Sequence, residues 1–369
     1  MNKNMYFVLF TLALILALVR PCCSCCSTAS PRSSSTKLTG IFVFGDSTVD
    51  NGNNNFIKSE FKSDYLPYGV DFPLGPFSTK RFTNGENPAD RIGGLLGLPV
   101  IPTFTDPQTK GSRVLRGVNY ASAGSGILDV TGSNKGVISL NQQITNFVEV
   151  TIPMLKAQQK CEGNTNLVEQ YLFLISTGSN DFLDTFFNGG SNIGLLQYFS
   201  NNLTSSLATQ LNRLYNAGAR KFAFINIGPL GCAPMTRASM PKRKCNETLS
   251  YAAYYFNTQL LVMLNSIQPR LSGFRYMVVN FFQIGLEFIQ IPSSGGFNDV
   301  SNSCCEVSLE SNGALCKQGG NLCKNRRTTL FFDGLHPNEA LYSILATRAY
   351  NSTDPTEVSP FNLHRLSTI

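Results

Sequence analysis

Five short apolar runs punctuate the chain: Ile41–Phe44, Val118–Ala121, Tyr171–Ser176, Lys221–Ile227 and Arg275–Phe282. Most lack apolar–polar alternation, which predicts strands covered on both faces. Helical periodicity falls between them. Leu196, Phe199, Leu203, Leu207, Leu211 and Leu214 step by three or four, and Gly218 follows as a stop. Phe256, Leu260, Leu264, Ile267 and Leu271 do the same before Gly273. Spacings of this kind predict amphipathic helices ended by glycine. Strands alternating with helices predict a parallel sheet covered by helices. No repeat and no linker divides the chain. Pro292–Arg327, rich in Gly, Ser, Asn and Cys, reads as a long loop pinned by disulfides.

The N-terminus has a different pattern. Lys3 precedes an almost wholly apolar stretch from Met5 to Val19, and small and polar residues follow from Ser24 to Ser30. The stretch is shorter than the roughly 20 residues a membrane-spanning helix needs. Its layout is that of a cleaved secretory signal over residues 1–29, cut somewhere between 24 and 29. Residues 30–369 are then a single domain with a core of about 41–345, and no stable membrane insertion is expected after cleavage. An exported chain gives meaning to the three N-x-[ST] sequons at Asn202, Asn246 and Asn351, which become candidate glycosylation sites. It also predicts that most cysteines pair. Cys22, Cys23, Cys25 and Cys26 lie at the signal end. Cys161, Cys232, Cys245, Cys304, Cys305, Cys316 and Cys323 remain, an odd number that leaves one thiol over.

Composition narrows the chemistry. Of 369 residues, 42% are apolar, enough for a sizeable core, and only two are His. Sites with several His ligands are therefore excluded, and no metal or organic cofactor is expected. Cys316, Cys323 and His336 lack a fourth ligand at zinc spacing. The net charge of +7 is not gathered in one half or tail. The runs Lys242-Arg243-Lys244 and Lys324-Asn325-Arg326-Arg327 flank cysteines and read as solvated loops, so no nucleic-acid partner is expected. Gly124-Ser125-Gly126 begins a dinucleotide fingerprint, but Asp129 stands where its third glycine belongs.

The polar residues after the strand runs carry the chemistry. Gly45-Asp46-Ser47 and Asp50–Asn55 follow the first run, Ser122–Gly126 the second, and Thr177–Asp181 the third. Ligands of open α/β sheets bind beyond the carboxyl ends of strands. Ser47, Gly124 and Asn180 should therefore meet on one rim. Near the C-terminus, Asp333-Gly334-Leu335-His336-Pro337 places an acid three residues before a His. A nucleophilic Ser needs a base, and the base needs an acid to orient it. Ser47, His336 and Asp333 supply those types. The backbone N–H groups of Ser47 and Gly124 and the Asn180 amide suit an oxyanion hole. Asp50 and Asn53 read as loop-ordering residues, and His364 as a solvated bystander.

Four blocks in order, Phe44–Asn54, Gly117–Gly126, Gly178–Asp181 and Phe332–Pro337, make the chain resemble the plant-type GDSL esterase/lipase family of the SGNH hydrolase superfamily. The resemblance spans about Ile41 to Leu345. It implies a three-layer α/β/α sandwich around a flavodoxin-like five-stranded parallel sheet. It also implies Ser47 as nucleophile and hole donor, Gly124 and Asn180 as further donors, His336 as base and Asp333 as its orienter. Thr48-Val49 follows Ser47 where the family's name has Leu, and Phe332 stands where this branch often has Trp. The implied reaction is hydrolysis of a carboxylic ester (acyl lipid, polyester or acetylated polysaccharide) through an acyl-Ser47 intermediate, outside the cell in the wall or apoplast. Two alternatives share the residues: an acyltransferase, and a non-catalytic binder of ester-bearing material. A neutral base also implies activity that falls below roughly pH 6.5.

Overall fold

The computed structural model describes residues 38–73, 79–158, 167–187, 189 and 192–369. The signal segment 1–29 and Cys161 lie outside them. The central sheet holds β1 (Gly40–Gly45), β2 (Tyr171–Ser176), β3 (Lys221–Ile225) and β4 (Arg275–Val279), in that order and all parallel. A two-residue strand, Val358–Ser359, closes the far edge antiparallel to β4. Every residue of β1, β2 and β3 is buried. That is why these runs show no alternation: both faces are covered.

Two expectations need correction. The sheet is not five regular parallel strands, because its fifth strand is antiparallel. Val118–Ala121 lies beside β1 but pairs with it only through an isolated bridge between Asn119 and Val43. The cause is local: Val43 N–H donates to Val118 O and Val43 O accepts from Tyr120 N–H, but Gly45 N–H, which would continue the ladder, donates instead to the Gln143 side chain at 2.9 Å. A side chain thus takes a backbone group that a regular ladder would use. The later ends also shift: β4 stops at Val279, and Phe281 opens a helix whose cap is Asn280.

Helices α1 (Pro88–Leu95), α2 (Leu140–Asn146), α3 (Ile152–Gln158), α4 (Leu196–Asn216), α5 (Pro234–Ala238), α6 (Glu247–Ile267), α7 (Phe281–Gln290), α8 (Glu339–Asn351) and α9 (Leu363–Thr368) complete the layers. The two predicted long helices are α4 and α6. Side chains from opposite faces of the strands enter two separate cores. Phe42, Phe44, Phe173, Phe222 and Phe224 pack with α4 and α6 residues on one side. Ile41, Val43, Leu172, Leu174 and Ala223 pack with α8 and α9 residues on the other. The sheet is therefore a middle layer.

The Pro292–Arg327 stretch is pinned as expected, by Cys304–Cys323 and Cys305–Cys316. It also carries a strand, β5 (Asp299–Ser303), parallel to β6 (Thr329–Phe331). Cys232 pairs with Cys245. His364 sits within helix α9 rather than a ragged tail; it is exposed, its ring 5.5 Å from that of Tyr350. Among the described residues no helix is long and apolar enough to cross a membrane.

Phe173 is the centre of the aromatic core. Its ring lies 5.5 Å from Phe42, 5.4 Å from Phe147 and 5.5 Å from Phe222. Phe173→Ala should lower the unfolding free energy by about 3–5 kcal/mol, as lost transfer and cavity terms add. Denaturant titration against the parent protein measures it.

Candidate active site

Turn geometry at the end of β1 presents Ser47. Val49 and Asp50 N–H groups donate to Asp46 O, closing a tight turn rather than a helix. Gly45 just before it is clamped by Gln143, which accepts from Gly45 N–H and donates to Gly45 O, both at 2.9 Å. Ser47 Oγ lies 2.7 Å from His336 Nε2, although the residues are 289 positions apart. His336 Nδ1 faces Asp333 Oδ2 at 2.8 Å and Oδ1 at 3.0 Å. His336 and Asp333 are both buried.

The Asp333 carboxylate is held on all sides. Its Oδ1 accepts from the Leu335 and His336 N–H groups at 2.8 and 2.6 Å. Its Oδ2 accepts from the Tyr68 hydroxyl at 2.7 Å. With Nδ1–H committed to the acid, Nε2 is left to accept from the Ser47 hydroxyl, which is the tautomer a general base requires.

The loop behind Ser47 is fixed by buried amides. Asp50 Oδ1 accepts from Gly52 and Asn53 N–H at 2.7 and 2.8 Å, and Oδ2 from Ala123 N–H at 3.2 Å. The Asn54 amide donates to Ala123 O at 2.9 Å. Asp50 and Asn53 thus order the rim, tying the Ser47 loop to the Gly124 loop. Gly124 has a φ of 85°, and a Cβ there would lie 2.4 Å from a Phe61 ring carbon, so glycine is required.

A cleft opens at this rim, lined by Ser47, Asn180 and His336 and by apolar side chains including Ile225, Ile227, Leu230 and Phe281. Asn180 donates one amide hydrogen to Ser125 O at 2.9 Å and has a second to give. Gly124 precedes that acceptor by one residue and is not among the residues lining the cleft. The backbone N–H groups of Ser47 and Gly124 donate to no protein acceptor among the described residues. Asp333 lies behind His336, away from the cleft lining. The predicted residues therefore gather at one place, with Gly124 at its edge. Cys316 and Cys323, weighed as metal ligands, are both consumed by disulfides.

Tyr68 and Gln143 escaped the sequence reading. Tyr68 lies in a turn-rich segment with no periodic signal. The one available hint for Gln143 was a polar residue on the apolar face formed by Leu140, Ile144 and Phe147.

A buried hydroxyl, imidazole and carboxylate in one hydrogen-bonded line, at the carboxyl ends of parallel strands, define a serine hydrolase-type site. The profile described as GDSL-like Lipase/Acylhydrolase matches residues 41–349. Three curated relatives are GDSL esterase/lipases of Arabidopsis thaliana. One is 34% identical over 90% of this chain and 90% of its own length. The second is 36% identical over 89% and 85%, and the third 35% over 89% and 91%. The chain belongs to the GDSL-like lipase/acylhydrolase family, and its enzyme class is carboxylic ester hydrolysis.

One carboxyl at the site carries a cost. Asp46 is pushed up to about 6, chiefly by burial; its Oδ1 accepts from Thr48 N–H at 3.0 Å and its Oδ2 has no partner among the described residues. An acid raised on folding contributes stability that is full below its unfolded value and is lost as pH rises through the folded one. Asp46→Asn keeps the acceptor for Thr48 and removes the charge. Its melting temperature should exceed that of the parent near pH 8, with the gap closing toward about pH 4. Thermal unfolding across that range measures it, and a gap of constant size would exclude the charge as its origin.

Proposed function

We propose that Ser47 is the nucleophile of this ester hydrolase, His336 its base and later acid, and Asp333 the group that orients and balances the imidazole. The observation that carries this reading is the continuous line from Ser47 Oγ to His336 Nε2 at 2.7 Å and from Nδ1 to Asp333 at 2.8 Å. His336 takes the Ser47 proton as Oγ attacks the ester carbonyl. The tetrahedral oxyanion receives hydrogen bonds from Ser47 N–H, Gly124 N–H and the second Asn180 amide hydrogen. Collapse expels the alcohol with the proton from His336 and leaves acyl-Ser47. Water then attacks, with His336 again the base.

The apolar cleft wall suits the acyl part of a lipid or other acyl ester. The frame we read as flavodoxin-like, with residues 118–121 as the strand-like neighbour on the outer side of β1. We read residues 30–369 as one hydrolase domain, a reading supported among the described residues by the line that joins Ser47 to His336 and Asp333. Three disulfides support export after removal of residues 1–29, hence a place in the wall or apoplast. Asn202 and Asn351 are exposed and Asn246 half-buried, which suits their use as glycan acceptors. Asn246 caps α6 through its side-chain oxygen, leaving the amide nitrogen for the glycan.

Ser47→Ala should abolish hydrolysis of a short p-nitrophenyl ester and labelling by a fluorophosphonate, with the fold retained. Full activity would refute the mechanism. Asn180→Ala should lose about 2.7–4 kcal/mol of transition-state stabilisation, read from kcat at unchanged KM. An unchanged kcat would remove Asn180 from the hole.

A further inference from the structure

The phenol of Tyr68 occupies a position that the three-residue relay leaves out. Tyr68 is fully buried. Its hydroxyl accepts from Cys316 N–H at 3.0 Å and donates to Asp333 Oδ2 at 2.7 Å. A phenol has one hydrogen to give. The incoming N–H occupies a lone pair and turns that hydrogen toward the carboxylate. Burial, and then the charge of Asp333, hold the phenol well above its ordinary value, so it stays a donor.

The surroundings fix this donor in place. Phe82 and Phe332 meet the Tyr68 ring edge-on at 5.7 and 5.8 Å, and the Phe82 ring also lies 5.3 Å from that of His336. The Tyr65 hydroxyl donates to Cys316 O at 2.8 Å. Cys316 is bonded to Cys305, whose N–H donates to Phe332 O at 2.9 Å. Gly334 N–H donates to Ala314 O at 2.9 Å, and a Cβ at Gly334 would lie 1.7 Å from Gly313 O. The disulfide-bonded loop, the Tyr65–Tyr68 turn and the Asp333 turn are thus one packed unit.

We propose that Tyr68 is a positioning residue: its hydroxyl, aimed by Cys316 N–H, shares Asp333 Oδ2 with His336 Nδ1 and so sets how strongly the carboxylate holds the imidazolium. The proposal rests on the reading of Ser47, His336 and Asp333 as the hydrolytic relay. Among the described residues, the other titratable groups facing the pair are Asp46 toward His336 and the Tyr65 and Tyr342 phenols toward Asp333, and all three are the same in every protein compared. Two donors on one oxygen compete for its charge. Removing the phenol leaves Nδ1–H as the sole donor to Oδ2, and the carboxylate then favours the protonated ring more. The ring loses its proton, and so becomes a base, at a higher pH. A role in packing alone would change stability and leave that pH dependence where it was.

The test is the pH profile of kcat/KM on a short p-nitrophenyl ester. It is run on the parent, Tyr68→Phe and protein carrying 3-fluorotyrosine at position 68. In Tyr68→Phe the midpoint of the acid limb should move up by about 0.5–1 pH unit, with KM unchanged. Fluorotyrosine, a stronger donor of the same shape, should move it down. Opposite shifts support the proposal. A limb that stays in place in both folded proteins overturns it. If Tyr68→Phe fails to fold, the fluorotyrosine protein decides alone, since it keeps every hydrogen bond. Ser47→Ala run in parallel separates the two levels. Surviving hydrolysis there removes the relay itself, whereas an inactive Ser47→Ala beside an unmoved acid limb refutes only the part given to Tyr68.

Discussion

A carboxylate out of water is tolerated only when its oxygens are filled by donors, and the site is organised around meeting that demand at Asp333. Two donors are backbone N–H groups of its own turn, one is the imidazole it orients, and one is the Tyr68 phenol. Each donor fixes a different part of the chain. The turn sets residues 333–336, the imidazole sets the direction of Nε2, and the phenol brings in residues 65–68 and the disulfide-bonded loop. Once those are placed, Ser47 is the one group Nε2 meets at 2.7 Å. Loss of any donor would leave charge unbalanced in a dry site, so the relay's geometry and the local stability are the same constraint.

The sheet supplies the convergence. Parallel strands end on one side, so the turns after β1 and β2 present Ser47 and Asn180 to the same rim. The C-terminal segment reaches that rim through β6, whose Phe331 bridges to Pro337. This explains why residues far apart in sequence meet at one place, and why the wall of the cleft is apolar. It is built from the ends of β3 and the start of α7, segments that also belong to the core.

Much of this was legible in the sequence because the signals were local. Unbroken apolar runs marked β1, β2 and β3, and the Ser, Gly, Asn and Asp–His blocks stood directly after strand-like segments. What stayed hidden was long-range. Tyr68 is joined to Asp333 across 265 positions, and Gln143 to Gly45 across 98. Neither partner has a spacing that a period of two or 3.6 would reveal. The Val118–Ala121 run misled for a related reason. Its apolar character is real, but the Gln143 amide, arriving from a helix, takes the Gly45 N–H that would continue its ladder with β1. The antiparallel pair at Val358 is too short to leave a pattern at all.

The rim is also the least comfortable part of the fold. Asp46 is buried with one oxygen unpartnered among the described residues, and Asp181 is raised by burial and further by the charge of Asp46. Asp181 is better provided for, accepting from Ile127 and Leu128 N–H and from the Thr131 hydroxyl. Buried acids of this kind work against folding. The compensation lies next to them. An aromatic core packs under the sheet, and the loop that steadies Asp333 is closed by two disulfides around a small cluster in which Leu315 joins Tyr68, Phe82 and Phe332. Cross-links suit that position because they restrain a turn-rich segment whose apolar cluster is small. The two disulfides therefore do more than close a loop: they hold the turn that carries Asp333 in register with Ser47.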